Sequence, residues 1–169
     1  LNTVQVAAIE SADIAALSSA QVSGLSPAQV VELTTAQVVA LSTAAVSGLT
    51  TAAVVALTTT QFGVVSAGQL NELTSAQVTE IEVADVAVLG TSQVRLLDDD
   101  VLGALNSAQM DALTTAQVVA LQTGQYTSLT SAQIGYLNST QVAAIETRDI
   151  AVLSSAQVSG LSDTQVVEL

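Results

Sequence analysis

The chain has 169 residues, half of them hydrophobic and 2% aromatic, and its 15 Asp and Glu face only two basic residues, Arg95 and Arg148, for a net charge of −13. That balance lacks the basic footprint nucleic-acid binding requires. The absence of Cys, His and Lys rules out a disulfide, a usual zinc site, a Ser-His-Asp triad, a Cys-His pair and a Schiff base.

An aliphatic residue recurs at every eighth position: Leu1, Ile9, Leu17, Leu25, Leu33 and so on to Leu161 and Leu169. The chain is therefore 21 octads plus one residue, and Leu33–Leu41 (Leu-Thr-Thr-Ala-Gln-Val-Val-Ala-Leu) shows the unit. Position 1 is Leu in 18 of 22 occurrences, and position 2 is Ser, Thr, Asn or Asp in 16 of 21. Position 5 is Gln in 15 and Asp in 3, and position 6 is always a large apolar residue.

A strand does not suit this pattern, because positions 1 and 6 would point to opposite faces of a pleat. One long helix does not suit it either, because equivalent positions drift about 80° per octad and form no stripe. No apolar run approaches the ~20 residues of a membrane-spanning helix, so no membrane insertion is expected. A very short helix per octad fits in detail. Position 2 is then the N-cap and the position 5 Gln is N3, which is the capping-box geometry. Positions 1 and 6 become the two halves of a hydrophobic staple.

The expected fold is all-α, a solenoid of 21 short helices coiled into a superhelical rod. Position 6 and the next Leu are three residues apart and share the inward face. Positions 3 and 7 face outward, and Ala at positions 4 and 8 allows close approach. No octad is stable alone, since isolated helices below about 12 residues are marginal in water; stability must come from stacking turns. Helix length and packing distance suggest roughly four octads per turn. Gln at position 5 can form a ladder between turns, although capping is the simpler account.

Along the chain, residues 1–33 and 137–169 are near copies, offset by 136 residues. Pro27 falls at N1, where proline is tolerated. Ile-Glu-x-x-Asp octads start at 9, 81 and 145, giving the pairs Glu10/Asp13, Glu82/Asp85 and Glu146/Asp149. Carboxylates three apart on a helix are neighbours and make candidate calcium ligands. The alternative is that acids favour a helix N-terminus through its dipole. Asp98, Asp99 and Asp100 form the one acidic run. They are a further calcium candidate, against the reading of a solvated helix start with Asp98 as cap. Phe62, Leu70, Met110 and Tyr126 occupy position 6 as core variants, and Tyr136 at position 8 is expected half exposed. The irregular octads Leu57–Val64, Val65–Glu72 and Leu97–Ala104 would form a binding surface if they lay on one face. No catalytic residue and no other cofactor is expected.

Leu25-Ser-Pro-Ala-Gln-Val-Val-Glu-Leu33 resembles the opening helix of a transcription activator-like effector repeat, over nine residues. The 34-residue repeat and basic surface of that family are not present. The whole chain resembles the Leu-Thr-Thr-Ala-Gln-Val-x-Ala octad arrays of very large secreted bacterial proteins described as adhesin-like, haem-utilisation or RTX-type. The resemblance implies an extracellular or cell-surface rod, stalk or fibre, with adhesion to a glycan, a surface or calcium as the alternative. The haem ligands and the aspartate-glycine nonapeptides of such proteins are absent. The chain opens and closes on the octad's Leu, with no initiator Met or signal-peptide pattern. It is expected to be a segment of a longer array, continuing in a larger chain or self-associating end to end.

Overall fold

Each octad forms one helix of four to six residues in the computed structural model, which describes residues 2–169. The series runs from α1 (Thr3–Ala7) to α21 (Asp163–Val166), and no strand occurs among the described residues. Leu1, the first staple position, lies outside them. Every helix starts at octad position 3, with position 2 as an extended N-cap. Helix α5 (Thr35–Ala40) is typical. Its cap Thr34 has φ −68° and ψ 157°. The Gln37 N–H donates to the Thr34 hydroxyl at 3.2 Å, and the Thr34 N–H donates to Gln37 Oε1 at 2.8 Å. No described residue has a positive φ. The helices therefore stop without the left-handed glycine that ends many helices. Instead the Leu that follows turns extended, as Leu41 does at φ −54° and ψ 127°, and the next cap begins one residue later.

Helices three apart in the chain touch along the whole coil, as α2 (Ser11–Ala15) does with α5 and α4 (Pro27–Val31) with α7 (Thr51–Ala56). The hydrogen bonds between turns give the finer register. Gln37 Nε2 donates to the Ile9 carbonyl at 2.8 Å and to the Val6 carbonyl at 3.0 Å, 28 and 31 residues earlier. Gln117 repeats this with Leu89 at 2.8 Å and Val86 at 2.9 Å, and Gln141 with Leu113 at 2.6 Å and Met110 at 2.9 Å. A turn is thus close to 28 residues, or three and a half octads, rather than the four suggested by helix dimensions. At 28 residues a turn, the 169 residues make about six turns. The half-octad stagger sets the start of each helix over the end of a helix in the turn before.

The core follows the expected face. Every position 6 from Val6 to Val142 is buried, including Phe62, Met110 and Tyr126, and so is every position 1 from Leu33 to Ile145. They form one continuous cluster. Positions 3 and 7 are mostly exposed, and Tyr136 is 43% exposed. Two expectations are corrected. The position 4 alanines, such as Ala36 and Ala116, are exposed rather than buried between turns; at N2 they serve helix propensity. The position 5 glutamines from Gln37 onward are buried except Gln93, which is half-buried (Gln117 is 1% exposed), because the amide nitrogen left free by the capping box enters the ladder.

The ladder carries a direct prediction. Gln117→Glu keeps the acceptor oxygen for Thr114 but replaces a donor with a carboxylate facing two carbonyls. It should destabilise the fold by about 3 kcal/mol at pH 7, since buried unsatisfied and charged groups cost more than a lost bond. Thr114→Ala should cost about 1 kcal/mol. Urea unfolding checks both, and part of the Gln117→Glu loss should return near pH 4, where a protonated acid can donate again.

Close approach between turns makes a second. A Cβ on Gly48 would overlap the Ser19 carbonyl, whereas one on Gly103 in α13 (Asp99–Ala104) would meet nothing within 4 Å. Gly48→Ala should lower the melting temperature. Gly103→Ala should raise stability by about 0.5–1 kcal/mol, the helix-propensity difference.

Candidate functional site

The exceptions at position 5 mark where the ladder chemistry changes. After the first turn, Ala45, Ala53, Asp85, Val101 and Asp149 stand in place of Gln, all buried. The two aspartates share one construction. The Thr123 hydroxyl donates to Asp149 Oδ1 at 2.6 Å from 26 residues earlier, and Thr59 stands in the same register to Asp85 and hydrogen-bonds to it. They differ in charge compensation. Arg148 Nε lies 3.5 Å from Asp149 Oδ2, and Arg148 Nη2 lies 2.6 Å from Glu146 Oε2. Asp85 has Ala84 where Asp149 has Arg148, and its Oδ1 is the one buried side-chain polar atom without a hydrogen-bond partner among the described residues. Burial pushes the Asp85 carboxyl above its ordinary range; the Thr59 bond opposes this and the Glu82 charge adds to it.

The third aspartate of the series, Asp13, lies on the first turn and is exposed. Its N-cap Glu10, like Glu82 and Glu146, makes no capping bond through its side chain. Asp98 caps α13, accepting from the Val101 N–H at 3.0 Å, while Asp99 and Asp100 are exposed in its first turn. Half-octad stagger places the three acidic octads at different angles around the coil. Among the described residues no three acidic side chains come together as a group that could hold a metal ion. The irregular octads do make one connection. Asn71 Nδ2 donates to the Leu96 carbonyl at 3.0 Å, and the Asp98 N–H donates to Asn71 Oδ1 at 3.1 Å. This amide joins two turns beside Val101, where no Gln is present to do so. Sequence reading missed it, because nothing local separates Asn71 from a helix-terminal surface residue.

Tyr126 at position 6 of its octad is fully buried and donates its hydroxyl to the Val118 carbonyl at 2.9 Å. Burial first, and then the charges of Asp149 and Glu146, raise its pKa above the ordinary phenol value.

The two ends of the coil expose different chemistry. On the first turn Gln5 and Gln21 complete their capping boxes and remain exposed. On the last turn the position 6 residues Val158 and Val166 are 37% and 46% exposed. There the carbonyls of Val142, Ile145, Val158 and Leu161, at ladder positions, receive no side-chain donor among the described residues. One end thus offers amide donors, and the other offers acceptors and apolar side chains.

A continuous core, a turn of three and a half units and a bond repeated from turn to turn define a helical repeat solenoid. The family model of the ALTTAQ repeat matches residues 6–43, 78–123, 112–144 and 142–169, and the chain belongs to that repeat family. The first two matches are separated by 44–77, which holds Ala45 and Ala53 in place of Gln and Phe62 and Leu70 in place of Val. No curated protein and no solved structure matches the chain.

The Asp85 site yields a pH prediction. A carboxyl that holds its proton more tightly folded than unfolded makes stability fall as the pH rises from its unfolded value through its folded one. Asp85→Gln puts an amide 31 and 28 residues after Val54 and Leu57, the register of Gln117 with Val86 and Leu89. It should stabilise the fold by about 1–2 kcal/mol at pH 7. The gain over wild type should shrink towards pH 4, as read by thermal melts of both proteins across that range.

Proposed function

We propose that the chain is a structural element, a length of solenoid rod in a secreted or surface-displayed bacterial protein, extended at its ends by further octads or by a second copy. The observation that carries this reading is the complementarity of the ends. Exposed Gln5 and Gln21 offer the donor that the ladder uses throughout. The last turn offers the carbonyls and the uncovered Val158 and Val166 that such a donor turn would cover. Membership of a repeat family and a unit made of Leu, Thr, Ala, Gln and Val support a non-enzymatic role. The likeness to octad arrays of secreted bacterial proteins supports the extracellular location, and no described helix is long and apolar enough to cross a membrane.

Negative-stain electron microscopy and light scattering of the isolated chain test this. The expected result is elongated particles that lengthen with protein concentration, and a Gln5→Glu/Gln21→Glu variant that keeps its helical content but stays one chain long. Short rods that never lengthen would leave a spacer inside a longer protein as the form of the function. Compact particles would overturn the rod.

A further inference from the structure

Only two basic residues occur in the chain, 53 positions apart, and the fold brings both to one groove. Arg95 ends α12 (Thr91–Arg95) and Arg148 lies in α19 (Thr147–Ile150). Their octads are seven apart, two turns at three and a half octads each, so they stand at the same angle on the coil. Between them, α15 (Thr115–Ala120) touches α12, and α16 (Thr123–Ser128) touches α19. The groove they bound is about 450 Å³, within the range of small-molecule sites.

Its lining departs from the repeat at several points. Gln122 is the one glutamine at position 2; its own side chain makes no cap bond and instead donates to the Arg95 carbonyl at 2.6 Å. Gly124 replaces the usual alanine, and a Cβ there would meet nothing within 4 Å, so the glycine widens the groove rather than relieving a clash. Thr91, Ser92, Gln122 and Thr123 supply hydroxyl and amide groups. Arg148 is held by Glu146 and Asp149 but stays 66% exposed. Arg95 is exposed and has no acidic partner among the described residues.

We propose that this groove binds a small polyhydroxylated carboxylate of the hexuronic acid type. The Arg95 guanidinium receives the carboxylate, since a planar fork of donors matches it. Arg148, fixed by its two acids, presents its remaining N–H groups from the other side of the groove. The hydroxyl and amide side chains match sugar hydroxyls, and the volume holds one or two rings rather than an inorganic anion. No aromatic face lines the groove, so binding rests on hydrogen bonds and is expected in the millimolar range. The site is independent of the rod reading, because it lies on the side of the coil and not at its ends.

The test is an NMR titration of the ¹⁵N-labelled full chain with D-glucuronate, set against glucose, inorganic phosphate and triglutamate. Saturable shifts of amides 91–95 and 121–124 with glucuronate, and a response to glucose about tenfold weaker, are expected. Arg95→Gln removes an exposed, unpaired side chain and should leave the melting temperature unchanged while weakening glucuronate about tenfold. Absence of those shifts with glucuronate overturns the proposal. So does a response of equal strength to phosphate or to triglutamate, or one that survives Arg95→Gln unchanged.

Discussion

The structure depends on one side chain used twice. In each regular octad the Gln at position 5 turns its amide oxygen back to the N–H of its own helix cap, and its nitrogen outward to two carbonyls of the turn before. A short helix leaves most of its backbone groups without internal partners. Here the oxygen satisfies a donor at one helix start while the nitrogen satisfies acceptors at another helix end. Asparagine could not span both distances, and glutamate would lack the donor. That double use explains why Gln is so regular on a coil where position 4, one residue earlier, is solvent-exposed alanine.

The stagger of three and a half octads follows from the same bond. Position 5 minus 28 residues is position 1, the junction at which one helix has ended and the next has not begun. A turn of four whole octads would set each helix start over another helix start. Donors would then face donors, and positive dipole ends would lie together. The half-octad offset sets starts over ends, so the carbonyls left over by a helix of four to six residues meet the amide nitrogens left over by the capping boxes.

What local rules determine was legible in the sequence: the unit length, the Thr34 type of cap, the staple from position 1 to position 6, and the buried face carried by Val38 and Leu41. What depends on distance between turns was not. Gln37 satisfies its own helix with its oxygen alone, so capping accounts for it in the sequence and a ladder through its nitrogen is only one option there, and helix dimensions alone do not separate three and a half octads from four. The same limit applied to the acidic octads. Glu82/Asp85 and Glu146/Asp149 differ in sequence by the Arg148 beside Asp149, but the threonine that each buried aspartate faces lies 26 residues earlier, and neither pair meets a third acid among the described residues. The arginine groove was out of reach for the same reason, because residues 53 positions apart come to bound one groove only once the turn is known.

A solenoid whose regular unit carries no reactive side chain can still place chemistry, provided the exceptions fall at the right intervals. Residues 25 to 31 apart are neighbours on adjacent turns, as Asn71 and Leu96, Thr123 and Asp149, and Gln122 and Arg95 demonstrate. Residues near 56 apart share an angle two turns away. Each exception disturbs only its own contacts, since stability in such an array is close to a sum over neighbours. Loss of Gln at Val101 is met locally by Asn71, and Asp149 by Thr123 and Arg148. The regular octads hold the coil, and so leave the irregular ones free to differ. A charged residue on this surface therefore acquires its partners by arithmetic along the chain, and the two arginines bound one groove because two turns of 28 residues separate their octads.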